Sequence, residues 1–148
     1  TSAKIDRIVA LEPDLVLGFS DLQADIASAL IRRGIEVHVF NQRSVADILR
    51  MLRTLGGMIG CEVKTSALVA GLEDGLAGIR AAAAQLERRP RVYFEEWDEP
   101  QISAIRWVSE LIGIPGGDDV LHELALEPLG ILAVLGLERG VAAEVCVL

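Results

Sequence analysis

Acidic side chains are the most numerous reactive groups of this chain, and several of them directly follow apolar runs. Asp21 and Asp25 follow residues 15–19, and residues 91–94 are followed by Glu95, Glu96, Asp98 and Glu99. Two carboxylates at a defined separation could cleave a glycosidic bond, but the sequence does not define that separation. It also has no serine in a G-x-S-x-G motif and no histidine beside a nucleophile. These features disfavour an enzyme.

Three aromatic residues, Phe19, Trp97 and Trp107, are better candidates for contact with a ligand, because an aromatic face can pack on a flat molecule. Trp97 follows two glutamates at the end of a predicted strand, which suits a ligand contact better than a core position. Phe19 either faces a ligand or completes the packing of its strand. Trp107 lies on a predicted apolar helix stripe, where core packing is an equally good interpretation.

The composition excludes several classes of partner. The net charge of −8 disfavours a nucleic-acid surface, which needs a basic stripe, and suits docking onto a basic protein. The cysteines Cys61 and Cys146 and the histidines His38 and His122 have no metal-ligand spacing. We therefore expect no metal site and no cofactor, and no apolar run reaches the roughly 18 residues that span a membrane.

Two predicted strands share one plan. Residues 15–21 and 91–98 are each predicted to form a buried strand that ends in an aromatic residue with acidic or hydroxyl groups beside it. A helix over residues 22–33, ended by Gly34, and a strand over 35–40 complete a β-α-β unit with parallel strands. Ligands of such sheets lie beyond the carboxyl ends of the strands. Two such ends predict two lobes with a cleft, which is the outline of a binding protein.

The segment between these strands is predicted to be helical. Ser44 with Asp47 resembles a capping box, and glycines 56, 57 and 60 are expected to break or bend the first helix. A second helix over residues 61–88 would be about 40 Å long, with a buried side formed by Val63, Leu68, Leu72, Leu76, Ile79 and Leu86. After it, the pattern predicts a helix that includes Ile102, Ile105, Val108 and Ile112 and ends near Gly113.

Several of these segments together resemble one protein family. Residues 12–16 (EPDLV), the Gly34-Ile35-x-Val37 segment and the long helix are similar to the substrate-binding proteins of ABC importers for vitamin B12 and ferric siderophores, the type with a helical backbone between two lobes. Residues 93–100, 107–112 and 116–117 resemble the start of the second lobe in the cobalamin-like branch. The resemblance covers about residues 4 to 125.

This resemblance implies the fold class and the function. The fold would be α/β, with two Rossmann-like lobes joined by a long backbone helix and both lobes incomplete. The protein would be periplasmic or extracytoplasmic and would capture cobalamin or a ferric siderophore for delivery to an ABC permease, without catalysis of its own. The metal ion would be part of the chelate ligand, so the protein itself would need no metal-ligating residues. The implied ligand-binding residues are Phe19, Ser20 and Asp21 in the first lobe and Trp97, Asp98 and Trp107 in the second.

The family also uses an acidic residue on the rim of each lobe to engage arginines of the permease. Asp25 is the nearest match in the first lobe, although an acidic residue in the first turn of a helix is also favoured by the helix dipole. The two interpretations of Asp25 are equally good, and the second lobe has no clear match.

The chain departs from the family pattern at both ends. The resemblance implies a further β-α region before Thr1, and the pattern after about Leu126 is apolar and weakly periodic. We interpret residues 1–60 as the end of the N-terminal lobe, 61–88 as the linking helix and 89–148 as the start of the C-terminal lobe with an atypical tail.

Two other interpretations stay open. One is a small cytoplasmic α/β enzyme of the metal-chelatase type, for which His38 is the candidate within the lobes. The other is a fragment that binds nothing small and forms a homo-oligomer through exposed sheet edges and apolar faces.

Overall fold

The structure, a computed structural model, describes residues 4–98, 101–102 and 105–121, and for residues 97, 98, 101 and 102 it describes the backbone alone. The chain divides into two compact units, with the division between Gln42 and Arg43. The predicted lobe boundaries at residues 60 and 88 stay a prediction.

The first unit is a β-α-β arrangement preceded by a short helix. Its elements are α1 (Ile5–Val9), β1 (Val16–Phe19), a 3-10 turn (Asp21–Gln23), α2 (Ala24–Ile31) and β2 (Val37–Phe40). The two strands are parallel, with Val16 opposite Val37 and Phe19 opposite Phe40. The predicted parallel pair is therefore confirmed. The strand and helix are shorter than predicted, because the chain turns at Ser20 and Asp21 begins the 3-10 turn.

Gly34 ends α2 as the sequence predicts. Its φ is +78°, its N–H donates to the carbonyl of Ile31 (2.9 Å), and the N–H of Ile35 donates to the carbonyl of Leu30 (3.2 Å). This pair of bonds is the Schellman arrangement, which favours glycine at the left-handed position. Leu30 is fully buried beneath it, with 1% of its surface exposed.

Two helices dominate the second unit. Helix α3 (Val45–Met58) begins with the predicted capping box of Ser44 and Asp47, and α4 (Glu62–Ala83) packs against it. The prediction that glycines break this helix is wrong for Gly56 and Gly57, which lie inside α3, and is confirmed for Gly60, which follows the end of the helix with a φ of +67°. Gly56 instead lies where α4 approaches: a Cβ at this position would be 2.2 Å from Oγ1 of Thr65.

Helix α4 is shorter and less covered than the sequence predicts. It has 22 residues and ends at Ala83, so it is about 33 Å long. After the helix ends, Arg89 donates to the carbonyls of Gly116 (3.2 Å) and Gly117 (2.8 Å). The prediction of a buried side is wrong for five of its six residues, which are exposed because α3 covers only one face of α4. These five residues are Val63, Leu68, Leu72, Ile79 and Leu86.

The remaining elements are short. Strand β3 (Arg91–Val92) pairs in parallel with β6 (Asp118–Asp119), and β4 (Trp97–Asp98) pairs antiparallel with β5 (Gln101–Ile102). Helix α5 (Arg106–Gly113) precedes β6. The prediction that Ile102 belongs to this helix is wrong, because Ile102 pairs with Trp97 in the hairpin. No helix within the described residues is long and apolar enough to cross a membrane.

Candidate functional site

Three of the predicted ligand-binding residues follow one another at the carboxyl end of β1. Phe19 is the last residue of the strand, and 37% of its surface is exposed, so the interpretation of β1 as fully buried is wrong. Ser20 is buried at 2% exposure and caps the 3-10 turn by accepting from the N–H of Leu22 (3.3 Å). Asp21 is exposed at the first position of that turn. This edge combines an aromatic surface with a carboxylate.

An open groove of about 570 Å³ begins at this edge of the first unit. Asn41, which follows β2, lines it at the strand ends together with Ser20 and Asp21. The rest of its lining comes from α2 and β2 and is mainly small or apolar: Ala24, Ala27, Ser28, Ile31, Arg32 and Val39. Its volume is in the range of small-molecule sites. Sequence reasoning did not find Asn41, although its position directly after a predicted parallel strand is a usable signal.

Asp25, the predicted permease contact, is the second residue of α2 and is exposed. An acidic side chain in the first turn interacts favourably with the helix dipole. The geometry is therefore compatible with both interpretations of Asp25, and its docking role stays a prediction.

The second unit presents a comparable edge where β3 and β6 end. Phe94 follows β3 with 39% of its surface exposed, and Val120 follows β6 with 37% exposed. The N–H of Val120 donates to the carbonyl of Val92 (3.0 Å), which keeps the two strand ends adjacent. Sequence reasoning missed Phe94 because it assigned residues 91–96 to one buried strand. The acidic pair after Phe94 was the available signal that the strand ends earlier.

Hydroxyl and carboxylate groups line the same edge. The hydroxyl of half-buried Tyr93 donates to the carboxylate of Glu95. This hydrogen bond, with burial and the negative charge of Glu95, raises the pKa of Tyr93 above its ordinary value. Tyr93 is therefore protonated near neutral pH. Glu95 and Glu96 are exposed, so the edge is aromatic and acidic like that of the first unit.

The predicted second-lobe residues are not together at a strand end. The backbone of Trp97 and Asp98 forms the hairpin strand β4, and four residues separate it from the end of β3. Trp107 is partly exposed on α5. The position of Trp97 at the end of the first strand of this unit was therefore predicted wrongly, because only Arg91 and Val92 pair with β6. The ligand-binding roles of these three residues stay predictions.

Polar contacts hold α5 in the second unit. The carboxylate of Glu110 accepts from the N–H of Val45 (2.7 Å) at the start of α3 and from Nε of Arg106 (2.8 Å). The hydroxyl of Ser109 donates to Asp119, at the end of β6. These bonds fix the helix on which Trp107 lies.

The groups that a metal-dependent enzyme would need do not converge. Within residues 4–98, 101–102 and 105–121, no three His, Cys, Asp or Glu side chains form a group that could hold a metal ion. His38 lies inside β2 rather than at its end, opposite Leu17, and its ring meets that of Phe40 edge-on at 4.3 Å. His122 and Cys146 lie outside the described residues.

The fold is similar to solved structures of substrate-binding proteins. An ABC transporter substrate-binding protein from Listeria monocytogenes superposes with a TM-score of 0.62 at 20% identity, over 77% of this chain and 45% of that chain. The heme complex of IsdE from S. aureus gives 0.66 at 17% identity, over 80% and 47%. The vitamin B12 binding protein BtuF of Vibrio cholerae gives 0.61 at 19% identity, over 79% and 47%. The predicted class of a two-lobed, helical-backbone α/β protein, present in part, is confirmed.

Sequence comparison gives the same result. A cobalamin-binding protein of Halobacterium salinarum is 25% identical over 126 residues, which are 84% of this chain and 34% of that protein. The chain thus spans about a third of that relative and about half of the solved structures. The family model described as periplasmic binding protein matches residues 1–145. The chain therefore belongs to the periplasmic binding protein family.

Proposed function

We propose that the protein binds one bulky metal-chelate ligand, with cobalamin as the first candidate, and delivers it to an ABC permease outside the cytoplasm. The observation that supports this most is the half-exposed aromatic residue at a parallel-strand carboxyl end in each unit, Phe19 in the first and Phe94 in the second. An aromatic residue at such an edge can pack on the face of a flat ligand.

The charge of the two edges favours cobalamin over the other chelates. Asp21 at the first edge and Glu95 and Glu96 at the second are exposed carboxylates. Carboxylates accept hydrogen bonds from amides and repel anions. The corrin ring of cobalamin carries amide side chains, whereas haem carries two carboxylates and many ferric siderophores are anionic. The chelated metal would need no ligand from the protein.

A titration with three chelates tests the choice of ligand. Cyanocobalamin, haemin and ferric enterobactin, an anionic siderophore complex, would each be added to the protein in its full natural length while tryptophan fluorescence is followed, with free tryptophan as the control for absorption by the ligand. We expect saturable quenching by cyanocobalamin, no saturation by either anionic chelate, and loss of the quenching in Trp97→Phe but not in Trp107→Phe. Tighter binding of haemin than of cyanocobalamin would contradict the argument from charge.

Delivery to the permease would use the acidic surface around Asp25. That side chain is exposed at the start of α2, and the chain is acidic overall, which complements a basic permease surface. Asp25→Arg should weaken binding of the loaded protein to its permease in proteoliposomes while ligand affinity stays unchanged. Asp14→Arg is the matched control, since Asp14 is also an exposed acid of the first unit but lies before β1. Equal effects of both changes would exclude a specific role for Asp25.

Self-association is a second proposal that a separate observation supports. Leu68, Leu72 and Ile79 lie along α4, and each has 42–53% of its surface exposed. Such a face favours contact between copies of the chain. Light scattering after gel filtration should give a dimer or larger species for the 148-residue chain, and Leu72→Glu should shift it to the monomer. A monomeric parent chain at micromolar concentration would contradict this proposal.

A further inference from the structure

Ser20 has an unusual backbone conformation for a residue with a side chain. Its φ is +62° and its ψ is 174°, a combination that is almost confined to glycine. Among the described residues, Glu12 is the other non-glycine residue with positive φ, at +48°. Glu12 precedes β1, whereas Ser20 follows it, so the two residues lie at opposite ends of the strand.

Several hydrogen bonds hold this conformation. The N–H of Ser20 donates to the carbonyl of Phe40 (2.8 Å), which ties the turn to the end of β2. Its Oγ accepts from the N–H of Leu22 (3.3 Å). Its carbonyl accepts from the N–H of Gln23 (3.4 Å), and the side chain of Gln23 folds back to accept from the N–H of Phe19 (2.9 Å). The surroundings therefore fix a conformation that a serine would not adopt by itself.

The strained residue separates two candidate ligand contacts. Phe19 and Asp21 are both exposed, and Ser20 between them is 2% exposed. A glycine would adopt the same dihedral angles without strain, but it would also let the turn sample other conformations. Strain that the surrounding structure maintains is concentrated at ligand-binding sites, and fixed contacts lose less entropy when a ligand binds.

We propose that Ser20 is a positioning residue, whose strained turn holds Phe19 and Asp21 in the orientation that the ligand requires. This inference rests on the proposed function and adds to it a residue that itself stays beneath the surface. The serine acts in two separable ways: its Cβ restricts the backbone, and its Oγ caps the 3-10 turn.

Two substitutions separate these contributions. Ser20→Gly removes the cap together with the strain and the restriction, so its comparison with Ser20→Ala isolates the restriction. We expect its melting temperature to equal or exceed that of Ser20→Ala, while its affinity for cyanocobalamin falls by about 5- to 30-fold, the equivalent of about 1–2 kcal/mol for fixing the backbone of one residue. Ser20→Ala keeps the restriction and removes the cap. It should lower the melting temperature and change the dissociation constant less than Ser20→Gly does.

The measurements are calorimetric titration with cyanocobalamin and thermal unfolding of the ligand-free protein in its full natural length. Glu12→Gly is the matched control, because it relieves a positive φ at the opposite end of β1 and should leave affinity unchanged. A purely structural role of the restriction would move stability and affinity together, so a lower melting temperature and a lower affinity in Ser20→Gly than in Ser20→Ala would overturn the inference. Unchanged affinity in Ser20→Gly would overturn it as well.

Phe19→Ala separates the proposed function from the positioning role of Ser20. If Phe19→Ala weakens binding while Ser20→Gly does not, the proposed function stands and the positioning role is wrong. Absence of cyanocobalamin binding in the parent protein would overturn both.

Discussion

Gly56 lies at the closest approach of α3 and α4, and its replacement by alanine should destabilise the second unit. A Cβ at Gly56 would be 2.2 Å from Oγ1 and 2.6 Å from Cβ of Thr65. The threonine cannot rotate away freely, because its Oγ1 donates to the carbonyl of Cys61 (2.9 Å) and its Cβ is fixed to the backbone of α4.

The expected magnitude follows from three contributions. Alanine in place of glycine inside a helix stabilises by about 1 kcal/mol. Overpacking costs about 1–3 kcal/mol, and loss of the hydrogen bond of Thr65 costs about 1 kcal/mol. We therefore expect Gly56→Ala to lower the free energy of unfolding by about 1–3 kcal/mol. Gly57→Ala is the adjacent control: no atom lies within 4 Å of its added Cβ, so it should stabilise by up to about 1 kcal/mol.

Urea unfolding followed by circular dichroism at 222 nm measures both changes, provided that the slope with denaturant stays constant. The added cost of Gly56→Ala should shrink in a Thr65→Ala background, which removes Oγ1. If Gly56→Ala is as stable as Gly57→Ala, the close packing of α3 and α4 described above is wrong.

Three further predictions concern single contacts. Glu110→Ala removes the acceptor of the Val45 N–H and should cost about 1.5–3 kcal/mol in urea unfolding, whereas Glu110→Gln, which keeps an acceptor, should cost less; equal costs would contradict a stabilising role of the hydrogen bond to Val45. The pKa of Asp47 is lowered chiefly by its hydrogen bond with the Ser44 side chain, and further by hydrogen bonds from backbone N–H groups. Its stabilising contribution is therefore complete above the unfolded-state pKa of about 4 and is lost as the pH falls through the lower folded pKa. The stability difference between the parent and Asp47→Asn should be largest near pH 6 and should decrease as the pH falls below about 4, and a difference that does not change with pH would refute this. Gly34→Ala should lower the melting temperature, because φ at this position is +78° and a left-handed residue with a side chain costs about 1–2 kcal/mol; an unchanged melting temperature would contradict the Schellman arrangement.

Features determined within a few residues were predictable from the sequence. The capping box joins Ser44 to Asp47, and the end of α2 depends on Gly34 and its immediate neighbours. The parallel pairing of β1 and β2 follows from the short helix between them. In each case one segment contains both partners of the interaction.

Features that depend on distant partners were not predictable. Nothing near Gly56 in the sequence indicates that Thr65 packs on it, and nothing near Arg89 indicates that it donates to the carbonyls of Gly116 and Gly117, 27 and 28 residues later. Similarly, Phe94 belongs to an apolar run that resembles a buried strand, but the strand ends where its partner β6 ends. Local hydrophobicity cannot indicate how many residues a distant strand will pair with.

The most direct test of the proposed function is calorimetric titration of the protein in its full natural length with cyanocobalamin, for the parent and for Phe19→Ala, Phe94→Ala and Leu11→Ala. Leu11 is an exposed apolar residue that precedes β1, and it serves as the control. The proposal predicts one ligand per protein, an affinity about 5- to 10-fold weaker in each phenylalanine variant, as expected for the loss of one aromatic contact, and an unchanged affinity in Leu11→Ala. Binding that neither phenylalanine variant weakens, or the absence of binding to the folded parent protein, would contradict it.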